Sequence, residues 1–191
     1  MTRKIREGET LHQFKERMID SVSESYCAAK WYNATIWLGH GQTASCHHPP
    51  GHWIPLEELK DNYTAIHNTK HKKLMRKYMQ EGKRPAECEY CWKVEDMGKD
   101  NISDRVFKTE IFKDEDIHKS AEMPWDENVM LRTLEISFDR ACNFKCSYCN
   151  PAFSTAWVKD INQYGGYQNI QSDGRGHFVD TAPWAAPAAK H

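Results

Sequence analysis

The chain has 191 residues, a formal net charge of -1 and a mean hydropathy of -0.81. A charge so close to zero produces no field that would attract nucleic acid or an anionic membrane, and we predict neither as a partner. No apolar run approaches the eighteen or so residues of a membrane span, and the N-terminus lacks the apolar segment of a signal peptide. Seven cysteines in such a chain favour metal ligation over disulfides, and we predict a cytoplasmic protein.

The first predicted element is an amphipathic helix. Thr10 is a suitable N-cap, and the apolar residues that follow recur at helical spacing. This helix is predicted to pack on the hairpin that comes next. Its apolar positions are Leu11, Phe14, Met18 and Val22.

A β-hairpin is predicted between two cysteines. Residues 33–38 and 42–45 have strand composition, and Gly39, His40 and Gly41 between them favour a turn. Cys27 and Cys46 therefore stand at the two ends of one hairpin.

Two more helices are predicted after the hairpin. One begins at Pro55, and a longer one covers 70–81, with Thr69 as its cap and Gly82 as its end. The second is rich in lysine, and we interpret its charges as a solvated face rather than a nucleic-acid surface. His67 and His71 are interpreted as part of the same solvated helical face.

Four cysteines are available for one metal site in this half of the chain. Cys88 and Cys91 form a CxxC pair, which lets two thiolates reach one metal or cluster from a single turn. With Cys27 and Cys46 they make a complete set of four ligands, suited to zinc or to an iron-sulfur cluster. His47 and His48, directly after Cys46, could replace one thiolate.

The middle of the chain is predicted to be a connector that leads to a strand and a helix. Residues 97–128 are charge-rich and are interpreted as a linker with one short strand or helix. Residues 131–138 alternate apolar and polar side chains, which predicts a strand. A helix is predicted over 152–161, ending near Gly165, and the remaining residues are interpreted as loops.

Three cysteines lie between that strand and that helix. Cys142, Cys146 and Cys149 have CxxxCxxC spacing, one thiolate short of the four that a cubane cluster normally takes. A zinc site is the alternative, but it would need a fourth ligand from elsewhere, and this spacing is not typical of zinc. The triplet therefore favours a 4Fe-4S cluster with one open iron.

This stretch resembles the signature of the radical S-adenosylmethionine (SAM) enzymes, with an aromatic residue, Tyr148, before the third cysteine. The resemblance implies that Cys142, Cys146 and Cys149 hold a 4Fe-4S cluster whose fourth iron chelates SAM. It also implies that Tyr148 lies beside the adenine of this cofactor. The order of strand, cysteine loop and helix matches the first βα unit of a partial (β/α)6 barrel.

The region of the other four cysteines resembles the twitch and SPASM modules of that superfamily. The resemblance implies an auxiliary 4Fe-4S cluster on Cys27, Cys46, Cys88 and Cys91, with zinc as the alternative. The expected fold class is α/β. It comprises an α+β accessory module over 1–125 and the start of the radical SAM core over 126–191. The module precedes the core here, whereas it follows the core in most of the family.

The core is expected to be incomplete. Only residues 150–191 follow Cys149, and a βα unit takes roughly thirty residues. The Gly-Gly-Glu segment that contacts the amino group of SAM in this family is absent. The sequence therefore predicts part of a longer protein or of a split enzyme, inactive by itself.

The predicted function is reductive cleavage of SAM to a 5'-deoxyadenosyl radical, which abstracts hydrogen from a substrate. The resemblance favours a peptide or protein substrate and an electron donor such as a flavodoxin or ferredoxin. One alternative is a noncatalytic zinc or iron-sulfur binding module. Another is a fragment of an RNA-modifying radical enzyme, which only the basic helix supports.

Overall fold

A small mixed sheet with helices around it forms the α/β fold of this chain. The computed structural model describes residues 5–139, 141–147, 149, 151, 153–165, 170–172 and 178–180. Its contacts define two compact units, Met1–Ser137 and Phe138–His191. The predicted domain boundary lay at residue 125, and the residues just after it group with the first unit because they lead into a strand of its sheet.

The predicted hairpin is confirmed at the centre of that sheet. Strand β1 (Asn33–Trp37) pairs antiparallel with β2 (Gln42–Ala44). The turn closes through Gly41 at a φ of 64°, a left-handed conformation that glycine adopts without steric cost. Strand β3 (His52–Trp53) pairs with β2, and β4 (Thr133–Ser137) pairs parallel with β1, which gives the order β3-β2-β1-β4.

Seven helices accompany this sheet in the described part of the first unit. Thr10 caps the first of them through a capping box with Gln13, as the sequence predicts for the cap. No helix among the described residues is long and apolar enough to cross a membrane. The helices are α1 (Leu11–Phe14, continued by a π-helical turn over Lys15–Asp20), α2 (Ala29–Tyr32), α3 (Leu56–Asp61), α4 (Lys70–Gln80), α5 (Glu89–Asp96), α6 (Asp104–Glu110) and α7 (Asp114–Glu122).

Helix α4 corrects the interpretation of a solvated basic face. Lys72 and Arg76 are buried, and with Met75 and Met79 they form the inward stripe of the helix. The guanidinium of Arg76 donates to the carbonyl of Lys30 at 3.1 Å, so a charged side chain joins α4 to α2.

His67 was also misplaced by the sequence interpretation. It follows a short 3-10 turn, and its buried ring is hydrogen-bonded to the carbonyl oxygen of Val129 at 2.9 Å. The His67–His71 spacing therefore does not describe one solvated helical face.

The predicted connector folds as two helices, α6 and α7. Asp114, Glu115 and Asp116 occupy the first turn of α7. Carboxylates are favourable there because the N-terminal end of a helix carries partial positive charge. Part of the charge-rich stretch that suggested a linker is therefore the start of a helix.

One hydrophobic core connects the N-terminal helices to α5, α6 and α7. Phe14, Ile19, Trp31, Val106 and Ile117 are fully buried within it. Cys91 belongs to the same core, and Cys27 and Cys88 pack against it.

The second unit contains helix α8 (Thr155–Tyr164), capped by Ser154 and ended by Gly165 at a φ of 86°. Strands β5 (Ile170–Ser172) and β6 (Phe178–Asp180) pair antiparallel. The interpretation of this region as loops alone is therefore wrong, because it contains two paired strands.

Candidate metal centres

Four cysteines of the first unit line one cavity. Cys27 lies just before α2, Cys46 follows β2, and Cys88 and Cys91 lie at the start of α5 and within it. The cavity has a volume of about 20 Å³, which is room for one water-sized sphere. The fold thus brings together the four cysteines that remain once the CxxxCxxC triplet is set aside.

The CxxC pair is held by a turn that Trp92 closes. A 3-10 turn over Ala86–Cys88 leads into α5. The indole nitrogen of Trp92 donates to the carbonyl of Pro85 at 2.8 Å. This bond ties the first turn of α5 to the residue where the CxxC turn begins.

Burial makes thiolates costly at these positions unless a positive charge or metal is bound. Burial, with a smaller contribution from the neighbouring cysteines, raises the pKa of Cys27 to about 12 and that of Cys91 to about 11. The pKa values of Cys46 and Cys88 are also raised, again chiefly by burial. Metal binding at this cavity would therefore release protons.

Neighbouring polar groups act against this increase in the pKa values of the four thiols. Backbone N–H groups of Ala29, His48 and Arg105 lower the pKa values of Cys27, Cys46 and Cys91 respectively. The ammonium of Lys30 lowers the pKa of Cys88, and the Ser103 hydroxyl also lowers that of Cys91. Polar neighbours of this kind are known to tune metal-bound thiolates.

Lys30 places a buried cation beside these sulfurs. Its side chain is 2% exposed and donates to the carboxylate of Glu87, which also contacts the ring of His71. Burial lowers the pKa of Lys30, but Cys88 and Glu87 raise it by more, so the ammonium stays charged. Burial likewise opposes the ionised Glu87, yet His71 and Lys30 lower its pKa to about 2.

No three of the four sulfurs lie within 4.8 Å of one another. Among the described residues, one group of three His, Cys, Asp or Glu side chains places its ligand atoms within 4.8 Å of one another, and it contains no cysteine. Tetrahedral zinc with Zn–S bonds of about 2.3 Å holds its sulfurs about 3.8 Å apart. A zinc ion would therefore have to draw these sulfurs inward, whereas a cluster would keep them apart and push the cavity wider.

Sequence reasoning missed the charged residues around this cavity. Lys30 stands in an apolar run over 28–32, and a lysine in such a run is a signal of a paired buried charge. Arg105 gave no such signal because it lies in the predicted connector. Its buried guanidinium donates to Glu95 at 2.6 Å and to the carbonyl of Tyr26 at 2.8 Å, which positions α6 against the cysteines.

The CxxxCxxC segment of the second unit is a loop folded onto the start of α8. The carbonyl of Cys142 accepts bonds at 3.0 Å from the backbone of Ala156 and from the hydroxyl of Thr155. The indole nitrogen of Trp157 donates to the carbonyl of Cys146 at 3.1 Å. The backbone N–H of Cys149 bonds to the carbonyl of Cys146 at 3.0 Å, so a turn joins the last two cysteines.

An open groove runs beside the first cysteine of this loop. Its volume is about 450 Å³, within the range of small-molecule sites. Phe144 is 66% exposed, and Tyr148, the predicted cofactor contact, lies outside the described residues. The groove is lined by Ala141, Cys142, Asn143, Thr155, Ala156 and Lys159.

The two histidines after Cys46 occupy different surroundings. His48 lines the cavity together with Cys46, whereas the side chain of His47 is 57% exposed. Four cysteines already border the cavity, so a histidine in place of a thiolate is not required to complete a set of four.

Comparison of the chain with known protein families, with curated proteins and with solved structures found no match.

Proposed function

We propose that this chain is a radical SAM iron-sulfur protein with a SAM-binding 4Fe-4S cluster on Cys142, Cys146 and Cys149. An auxiliary cluster on the other four cysteines completes the proposal. The observation that carries it is a contrast between the two cysteine groups. Four cysteines border one small cavity, and three lie in a loop whose first cysteine, Cys142, borders an open groove. A site with four protein ligands has no place for a substrate, and a site with three keeps one position open.

The residues around the triplet fix the loop rather than the sulfurs themselves. Thr155 and Ala156 anchor Cys142 through its carbonyl, and Trp157 anchors Cys146 in the same way. These bonds are made by backbone atoms of Cys142 and Cys146 rather than by their sulfurs. The N-terminal end of α8, where these bonds form, also favours the net negative charge of a thiolate-bound cluster.

The groove beside Cys142 supports binding of a small charged cofactor. Lys159 contributes a cation to its lining, which would attract a carboxylate such as that of SAM. When bound, the cluster would supply the electron that cleaves SAM to methionine and a 5'-deoxyadenosyl radical. The proposed start of a (β/α)6 core is supported by the chain order of β4, cysteine loop and α8.

At the four-cysteine cavity we propose a cluster that relays electrons or stabilises the fold. The separation of the sulfurs supports this assignment over zinc, because no three of them lie within 4.8 Å of one another. The substrate class remains the one implied by the family resemblance, a peptide or protein, with a flavodoxin or ferredoxin as electron donor. A cytoplasmic location suits the proposal because thiols stay reduced there.

Iron and sulfide counts after anaerobic reconstitution test the number of clusters. Two cubane clusters predict about eight irons and about eight sulfides per chain. The variant Cys142→Ala should keep about four of each, on the other four cysteines. Zinc in place of iron at the four-cysteine cavity would contradict the auxiliary cluster without affecting the triplet.

The electron paramagnetic resonance spectrum of the reduced protein tests SAM binding without turnover. Coordination of SAM to an open iron should change the signal of the triplet cluster. Cys27→Ala is the matched control, since it removes a ligand of the other site and should leave this change intact. An unchanged spectrum on addition of SAM to the reduced wild-type chain would overturn the radical SAM proposal.

A noncatalytic metal-binding module is the second candidate. It is favoured by the enclosed cavity, where four cysteines supply a full ligand set. This function predicts metal at the cavity and no SAM-dependent spectral change. The RNA-modifying alternative has lost part of its support, because Lys72 and Arg76 of the basic helix are buried.

A further inference from the structure

Three further metal-ligating side chains meet beside the four-cysteine cavity. His47 and His48 follow Cys46, and Asp104 begins helix α6. Their ligand atoms all lie within 4.8 Å of one another. The Nε2 atoms of His48 and His47 lie 2.8 Å and 3.5 Å from one carboxylate oxygen of Asp104.

These separations fit the coordination sphere of a transition-metal ion. Bonds of about 2.0–2.2 Å to imidazole nitrogen and carboxylate oxygen place neighbouring ligand atoms about 3.0–3.5 Å apart. The distances from Asp104 to the two rings span nearly the same range. An ion could therefore bind with small side-chain rotations and without movement of the backbone.

Two of the three ligands are held in place by packing. The ring of His48 stacks on Tyr90, with centroids 3.8 Å apart and an interplanar angle of 15°. Tyr90 lies between Cys88 and Cys91, so the CxxC turn positions this histidine. Asp104 precedes Arg105, whose buried ion pair with Glu95 fixes the start of α6.

The other residues around His47, His48 and Asp104 nearly balance in charge, and they leave one side of this group open to solvent. Lys108 and Glu135 act on His47 with opposite signs, so the carboxylate of Asp104 provides the excess negative charge. His47 and Asp104 are both partly exposed. Water or another ligand could therefore complete the coordination of a bound ion.

We propose that His47, His48 and Asp104 form a second metal site, which binds one divalent transition ion such as Zn²⁺ or Fe²⁺. Two imidazoles and one carboxylate are the donor set of open zinc sites and of non-haem iron sites. His48 and Asp104 also line the cysteine cavity, but this site differs from it because the donors are nitrogen and oxygen and because His47 and Asp104 are partly exposed to solvent. It does not depend on the proposed radical chemistry.

Titration of the reconstituted, full chain with Co²⁺ tests the site directly. Cobalt bound by nitrogen and oxygen gives weak visible absorption, whereas cobalt bound by cysteine adds an intense sulfur-to-metal charge-transfer band. We expect one additional cobalt ion per chain, without that band, displaced by Zn²⁺. Since loss of a ligand should cost more than the 10–100-fold typical of a lost supporting partner, Asp104→Asn and His47→Ala should each weaken binding by at least about tenfold.

His40→Ala is the matched control, since this exposed histidine lies in the hairpin turn and should leave binding unchanged. His47 is half-exposed, so its substitution tests the site even if Asp104→Asn disturbs α6. Wild-type affinity in both variants, or no additional ion at about 100 µM cobalt, would mean that the three residues form only an Asp–His ion pair. Either result would overturn the proposal. A charge-transfer band from the additional ion would overturn it too, by placing the ion on cysteine.

Discussion

Lys30 is the side chain on which the electrostatics of the cysteine cavity depend most. A buried ammonium is costly unless partners compensate for lost water, and here Glu87 and the sulfur of Cys88 do so. The same cation offsets the negative charge that four thiolates bring to a bound cluster or zinc ion. One residue therefore links the stability of the fold to occupancy of the site.

A double-mutant cycle on Lys30 and Glu87 measures this link. Lys30→Met leaves the Glu87 carboxylate buried without its ammonium partner, and breaking a buried pair typically costs about 3–5 kcal/mol. Lys30→Met combined with Glu87→Gln should therefore destabilise the chain by less than the sum of the single variants. Urea unfolding under anaerobic conditions gives the free energies, and metal content should fall in both variants that lack Lys30.

Lys77→Met is the control for that cycle, because Lys77 is partly exposed on α4 and pairs only with the neighbouring Glu81 within the described salt bridges. Exposed pairs of this kind contribute about 0–1 kcal/mol. Additive losses for Lys30 and Glu87 would show that the two side chains act independently.

At the scale of elements, β3 and α4 are joined by a hydrogen bond between His52 and Thr69. The Thr69 hydroxyl accepts the backbone N–H of Lys72 at 3.1 Å as the cap of α4, and it lies 2.8 Å from Nε2 of His52. If the hydroxyl hydrogen points to His52, the imidazole is neutral. Burial, together with the nearby His71 and Lys72, lowers the pKa of His52 to about 4.

The stability of the chain should therefore depend on pH through His52. The ordinary pKa of histidine is about 6.5, so below that pH the unfolded chain binds a proton at His52. The folded chain does not bind this proton until the pH falls to about 4. The contribution of neutral His52 to the stability of the folded chain is therefore complete above pH 6.5. It is lost as the pH falls towards 4, by at most about 1.4 kcal/mol per pH unit. The loss between pH 7 and 5 should be smaller for His52→Gln than for the wild type, as measured by urea unfolding.

Acid also releases metal from cysteine, but that effect is common to the wild type and the variant and cancels in the difference. His118→Gln, at an exposed position on α7, should behave as the wild type. Equal losses for wild type and His52→Gln would contradict the prediction.

Sequence patterns predicted α4 and the hairpin well because both have local signals. Thr69 and Gly82 mark the ends of α4, and Gly41 marks the turn. Burial of Lys72 and Arg76 could not be predicted in the same way, since it depends on carbonyls from α2 and other distant segments. Helix α6 was missed because its start at Asp104 is fixed by contacts of Arg105 with Glu95 and Asp20 rather than by a strong local cap.

The same difference between local signals and distant contacts applies to the candidate sites. Cys88 and Cys91 are local and were paired by spacing alone. The grouping of Cys27 and Cys46 with them rested on counting, and the fold places all four at one cavity. The contribution of Asp104 to a group with His47 and His48 depends on a contact across 56 residues, between His48 and Asp104, that no local pattern contains.

At the scale of the whole molecule, the two cysteine groups belong to different compact units. The four-cysteine cavity and its core lie entirely within Met1–Ser137, and the triplet loop with α8 lies within Phe138–His191. The groups that lower the pKa values of the four thiols also come from the first unit, and they belong to Ala29, Lys30, His48, Ser103 and Arg105. Assembly of the cavity should therefore need nothing from the second.

A chain ending at Ser137 tests this independence. It retains strand β4, the sheet and the core, so it should fold and bind about four irons and about four sulfides after reconstitution, half of the full-length count. Cys91→Ser in this shortened chain should abolish binding and lower the unfolding temperature, because metal binding to the folded state alone adds to stability. Iron bound by the full chain but not by the shortened one would mean that residues beyond Ser137 help to build the cavity.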